Sequence, residues 1–221
     1  MFFESFESER ELQYATAMTL IAAGGSGADA FQGSAAEDTL SGGSGSDTLF
    51  GFAGADLLYG NQDADLIYGN AGNDTVFLGQ GNDTGFGGQG ADELFGNAGN
   101  DVLYGNIGDD TLSGGVGSDT LYGGSGSDVF SFQATNQSDG DVIQDFDLTS
   151  DRIDMIGTVE VSSNSDGAAV VTSGNFSITL VGISASDLTS AQFVNANSVT
   201  LTSSTTTSAD PTLTVDDFEF A

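Results

Sequence analysis

Large apolar residues recur at every ninth position through the middle of the chain: Phe31, Leu40, Leu49, Leu58, Ile67, Val76, Leu94, Leu103, Leu112, Leu121 and Phe130. A nine-residue period fits neither the 3.6-residue repeat of a helix nor long two-residue alternation, and it marks a solenoid built from stacked short units. Twelve nonapeptides run in register from Gly24 to Ser131. The last three residues of each predict a minimal strand, with position 8 facing one way and positions 7 and 9 the other. The first six, rich in Gly and Asn, predict a tight turn, because those residues tolerate positive φ. Two repeats then form an 18-residue coil whose two strands face each other across the position-8 side chains. Coils stacked at about 4.8 Å bury a continuous apolar column and pair as parallel sheets, so six of them extend roughly 29 Å. The expected fold is all-β, a parallel β-solenoid of about six 18-residue coils.

Departures from the pattern are as informative as the pattern. Position 1 is Gly in eleven repeats, with Leu78 the exception, and position 8 is large and apolar in eleven, with Gly85 the exception. Leu78 lies two residues after inward-facing Val76, so alternation points it into the core beside the space Gly85 leaves. Position 4 is Gly in ten repeats and is replaced by Ala36 and Asp63. The second repeat, "GSAAEDTLS", has lost two turn glycines, at Ser34 and Ala36. Position 9 is aromatic in eight repeats, and Phe50, Tyr68, Phe86, Tyr104 and Tyr122 fall one per coil on one sheet. Such a series predicts cross-strand stacking on an outer face, and an apolar face of that size is a candidate surface for a partner or for assembly.

Charge narrows the chemistry. Asp and Glu number 33 against two cations, Arg10 and Arg152, for a formal net charge of -31. Nucleic acid and anionic membrane surfaces, which select basic patches, are disfavoured as partners by this charge. With no Cys and no His, the chain can build neither a disulfide framework, a thiolate zinc site nor a Ser-His-Asp triad. Position 6, in contrast, is Asp in all twelve repeats: Asp29, Asp38, Asp47, Asp56, Asp65, Asp74, Asp83, Asp92, Asp101, Asp110, Asp119 and Asp128. Stacking places the carboxylates of repeats i and i+2 side by side, where they repel unless a cation lies between them. Two carboxylates and inward backbone carbonyls form a hard all-oxygen cage suited to Ca²⁺ rather than to Zn²⁺ or Cu²⁺. The string "GFGGQG" at 85–90 fits a dinucleotide fingerprint but sits inside the repeat array without a βαβ unit around it.

The nonapeptide pattern G-G-x-G-x-D-x-U-x over residues 24–131 resembles the RTX (repeats-in-toxin) calcium-binding β-roll family, the hemolysin-type calcium-binding repeats. The resemblance implies ions held between turns i and i+2 by the two Asp carboxylates and turn carbonyls, about ten in all. It also implies a secreted bacterial protein, extracellular or at the cell surface, exported by type I secretion machinery that reads an uncleaved C-terminal signal. The hydroxyl-rich tail "SSTTTSADPTLTVDDFEFA" is similar to such a signal. No apolar run is long enough for a transmembrane helix, and the acidic N-terminus does not read as a Sec signal peptide.

Four segments follow: an N-terminal cap at 1–23, where Tyr14, Met18 and Ile21 have helical spacing; the β-roll at 24–131; a β-rich closing segment at 132–200; and the tail at 201–221. In the closing segment "DGDVIQDFDLTSDRIDMIG" and "ITLVGISASDLTSAQFV" resemble sequences that end RTX rolls, and Asp139, Asp141, Asp145, Asp147 and Asp151 are candidates for a further ion. Some relatives carry protease or lipase domains upstream. Only 23 residues precede the repeats, so no catalytic activity is expected. The expected role is a structural or assembly subunit of a surface layer, matrix or filament, folded by extracellular calcium. The alternative is a soluble effector that binds a host membrane or glycan.

Overall fold

The computed structural model describes residues 18–132, 140–174 and 176–201. Two short strands, β1 (Ile21–Ala23) and β2 (Ala30–Gln32), begin the roll. Six-residue strands then follow at nine-residue steps: β3 (Thr39–Ser44), β4 (Thr48–Ala53), β5 (Leu57–Gln62), β6 (Leu66–Ala71), β7 (Thr75–Gln80), β8 (Thr84–Gln89), β9 (Glu93–Ala98), β10 (Val102–Ile107), β11 (Thr111–Val116) and β12 (Thr120–Ser125). The chain continues through β13 (Val129–Phe132), β14 (Asp141–Ile143), β15 (Arg152–Ser163), β16 (Ala169–Ser173), β17 (Phe176–Leu180) and β18 (Phe193–Leu201). Odd strands pair in parallel with odd strands and even with even, in an 18-residue register that sets Leu40 beside Leu58 and Leu58 beside Val76. The protein is all-β, a parallel solenoid of about six coils, as the period predicts.

The strands are twice as long as the sequence pattern suggests. Positions 1–3, which the sequence pattern gives to the turn, continue the ladder, so that Gly43 pairs with Asn61 and Ser44 with Gln62. The reason lies at position 2, where Asn61, Asn70 and Gly79 take φ of 84°, 78° and 119°. One left-handed residue bends the strand without breaking its parallel hydrogen bonds. The Ser44 N–H, just after the bend, still donates to the Gly25 carbonyl at 2.9 Å. The turn itself shrinks to positions 4–6.

Three positions per repeat face inward: Asp at 6, the apolar residue at 8 and Gly at 1. The apolar column, from Leu40 to Leu121, is 0% exposed at every large side chain. Each burial contributes about 1.5–3 kcal/mol. Leu78 is likewise fully buried, and its Cδ atoms lie 2.9 and 3.3 Å from where a Cβ on Gly85 would be. The two departures from the repeat therefore fill one space, as alternation requires. Outside, the rings of Phe50, Tyr68, Phe86, Tyr104 and Tyr122 stack at centroid spacings of 4.9, 4.8, 4.7 and 4.6 Å. A second stack of Tyr59, Phe77 and Phe95 runs along the other sheet.

The ends differ. At the front, Met18 and Ile21, two of the three residues with helical spacing, are described, and neither is in a helix. Ile21–Ala23 is a strand with Ala22 buried, because the open edge of β3 offers a ladder that a lone helical turn could not match. The rest of the expected cap, residues 1–17, lies outside the described residues, as does the tail from residue 202. At the rear, β15 and β18 extend the odd sheet while β14 and β17 extend the even one. Strand β16 pairs antiparallel with both β15 and β17 and so joins the two sheets. Apart from two short 3-10 turns, Ala185–Asp187 and Ser190–Gln192, the described closing segment is free of helix.

Candidate metal centres

Each position-6 Asp stands immediately before a strand, at the exit of its turn. From Asp47 onward its Oδ1 accepts the backbone N–H of the equivalent Asp one coil earlier, from Asp29 onto Asp47 at 2.7 Å to Asp110 onto Asp128 at 3.0 Å. Two parallel ladders result, one along each edge of the roll. The carboxylates are 0–8% exposed. In Asp47, Asp56, Asp65, Asp74, Asp83, Asp92, Asp101, Asp110 and Asp128, Oδ2 is buried and accepts no hydrogen bond. A buried carboxylate oxygen without a partner costs several kcal/mol unless a cation or proton meets it.

The glycine at position 1 shows what that oxygen faces. A Cβ added to Gly105 would lie 2.5 Å from Asp110 Oδ2 and 2.6 Å from the carbonyl of Gly123, one coil further on. The same pairing of a carboxylate oxygen with a carbonyl of the following coil recurs at Gly24, Gly33, Gly51, Gly60, Gly69 and Gly96. Only a residue without a side chain leaves the space between the two oxygens open. Among the described residues no group of three or more acidic side chains is placed to share one ion. The donors are instead a carboxylate ladder and the backbone, an all-oxygen set that fits Ca²⁺ and offers nothing to a soft metal.

Electrostatics points the same way. Burial pushes Asp101 up to about 8, opposed by the hydrogen bond from the Asp83 N–H and reinforced by Asp119 and Asp83. Burial likewise raises Asp56, Asp65, Asp92 and Asp128 to about 7, and Asp47 and Asp110 to about 6. Neighbouring unit charges about 4.8 Å apart repel by about 3.5 kcal/mol at an effective dielectric constant near 20. A divalent ion between them reverses the sign.

The structure places all twelve predicted Asp in these ladders, with differences at the front. In Asp29 the Oδ2 accepts the Gly25 N–H at 2.9 Å, and in Asp38 it accepts the Ser34 N–H, so each is satisfied within its own turn. The second of these is the repeat that lacks two glycines. Beyond the repeats, Asp141 and Asp151 join the ladders, accepting from the N–H of Asp119 at 2.9 Å and of Asp128 at 3.1 Å. Both keep the inward apolar residue two positions on, Ile143 and Ile153, although the spacing has grown from 18 to 22 and 23 residues. Asp145 accepts from the N–H groups of Gly123 and Gly124 at 2.9 and 3.0 Å, and Asp147 turns to Thr149. Asp139 lies outside the described residues.

A parallel roll lined by two buried carboxylate ladders defines a cation-binding solenoid. The family model described as RTX calcium-binding nonapeptide repeat (4 copies) matches residues 23–51, 50–85, 79–112, 86–121 and 104–134, together just over half of the chain. The chain belongs to that family, and it is an RTX calcium-binding repeat protein with a β-roll fold. Among solved structures it is similar to the extracellular lipase LipA from Serratia marcescens, at 22% identity over 83% of this chain and 40% of that one, with a TM-score of 0.37. It is also similar to the AlgE6R3 subunit of the Azotobacter vinelandii mannuronan C5-epimerase, at 28% identity over 70% of this chain and 94% of that one, with a TM-score of 0.38. The AlgE6R2 subunit of the same epimerase matches at 28% identity over 52% of this chain and 92% of that one, with a TM-score of 0.36. The chain thus spans less than half the length of the lipase. No curated protein matches it.

Proposed function

We propose that calcium drives this roll to fold outside the cell, and that the folded roll serves as a structural or assembly subunit without catalytic activity. The carrying observation is the set of buried Oδ2 atoms that accept no hydrogen bond, among which those of Asp56, Asp65, Asp74, Asp101 and Asp110 also lie beside a carbonyl of the next coil. The twelve position-6 Asp are the ligands on this reading, with about ten ions placed between turns i and i+2. Ten divalent ions would offset about 20 of the 31 negative charges. At cytosolic calcium the turns stay open through repulsion; at the ~10⁻⁴ to 10⁻³ M of extracellular calcium modules they close.

Export of the unfolded chain fits this scheme, with the residue 201–221 tail as the signal read by type I machinery. Assembly is supported by the ends of the roll. Among the described residues β1, β2 and β18 each pair on one side only, and two stacks of outward rings line the flanks. Parallel sheets with open ends grow by adding strands. The ring faces are turned toward one another, with interplanar angles of 3–12° along both ladders. Within the stacks it is mainly ring edges that remain for a sugar or a lipid, which favours assembly over the soluble-effector reading.

Far-UV circular dichroism decides the folding claim: mostly coil in chelator, strand in millimolar calcium. A calcium-free protein that is already fully folded would reject it. Light scattering at high protein concentration with calcium decides assembly, and a strict monomer would move the weight to the soluble effector.

A further inference from the structure

We propose that Leu78 closes the cation site of its own repeat, so that an apolar plug stands where the other turns take an ion. The inference rests on the calcium reading of those other turns.

Position 1 is Gly in all the other repeats, and its missing side chain faces the Asp five residues later. A Cβ on Gly96 would lie 2.6 Å from Asp101 Oδ2, and one on Gly105 would lie 2.5 Å from Asp110 Oδ2. In the seventh repeat that place belongs to Leu78, and the carboxylate opposite is Asp83. Leu78 is 0% exposed, and its branch reaches across the core to fill the space beside Gly85. An ion can reach the Asp83 Oδ2 only by displacing this side chain, which would leave a void at Gly85. Asp83 Oδ2 is buried and accepts no hydrogen bond, so in a plugged turn a proton takes the place that the ion has in the others.

The effect is confined to one turn. The Leu78 carbonyl still meets Asp65 Oδ2 over Gly60, so the site that precedes the plug keeps its two oxygens. The ladder also runs through unbroken. The Asp65 N–H donates to Asp83 Oδ1 at 2.7 Å, and the Asp83 N–H donates to Asp101 at 2.9 Å. Packing thus replaces an ion at mid-roll, and the chain holds one ion fewer than its repeats would supply.

Counting calcium by native mass spectrometry on the full chain tests this. The variant Leu78→Gly/Gly85→Leu restores the repeat pattern and should bind one ion more than the wild type. The transplant Gly105→Leu/Leu112→Gly builds the same plug in the tenth repeat and should bind one fewer, while circular dichroism in calcium shows that it folds. A restored variant with the wild-type count, or a folded transplant that loses no ion, overturns the plug alone. A wild type that binds no calcium overturns the calcium reading and the plug with it.

Discussion

The backbone N–H of Asp83 donates to Oδ1 of Asp101 at 2.9 Å, one full coil along the roll. Repeated down both edges, this bond divides the labour of each carboxylate. One oxygen completes the backbone of the preceding coil, and the other is left for an ion. Charge and hydrogen bonding can therefore be removed separately.

Asp92→Asn keeps an oxygen for the Asp74 N–H, bonded at 2.8 Å, but loses the charge. Asp92→Ala loses both and leaves that N–H buried and unmet, which costs about 1–3 kcal/mol more. Calcium titrations followed by circular dichroism should rank the midpoints wild type, then Asn, then Ala, with Ala needing the most calcium. Equal midpoints for Asn and Ala would show that the N–H bond contributes nothing.

Gly105→Ala places a methyl between Asp110 Oδ2 and the Gly123 carbonyl, whereas at Gly27 a Cβ would meet nothing within 4 Å. The first substitution should remove one bound ion and raise the calcium midpoint. Gly27→Ala should change stability by less than about 0.5 kcal/mol. Indistinguishable titrations would mean that the glycine serves only the backbone.

Without calcium, acid should substitute for it in part. Burial raises Asp101 to about 8 and Asp56, Asp65, Asp92 and Asp128 to about 7 in the roll. The unfolded carboxylates titrate near 4. The folded state therefore holds more protons between those values, and ion-free stability is greatest below about pH 4 and is lost as pH rises from about 4 to 8. Dilute protein in chelator should gain strand signal as pH is lowered from 8 to 4.5. A strand signal that falls on acidification would contradict this.

Leu94→Ala opens a cavity in a fully buried column and should cost about 2–5 kcal/mol in calcium, read from urea unfolding. A cost below about 1 kcal/mol would mean that ions rather than packing hold the coils together.

The period made the roll legible because each position does one physical job, with Asp before the strand, an apolar side chain inside and glycine where no side chain fits. Even the defect at Leu78 and Gly85 could be read, since strand alternation alone fixes where Leu78 points. The strand length was not legible. Asn61 and Asn70 look like turn residues in the sequence, and only the continuing ladder shows them as bends within a strand. Asp141 and Asp151 could be marked as acidic candidates but not placed, because insertions hide the spacing that carries the signal. At the front, Ile21, which the spacing pattern could assign to a helix, lies in a strand paired with β3.

The ladder has a direction. The N–H of each Asp is met by the coil that follows and never by the one before, and Leu20 at the front donates to Asp38 while carrying no carboxylate itself. A coil removed from the front uncovers oxygens that water can hydrate, whereas the rear must end in Asp141, Asp151 and the strands that join the sheets. Repeats can thus be gained or lost at the front while the closing hairpin stays unaltered. The ladder therefore sets no length for the roll at its front, and only the rear needs dedicated residues to end it.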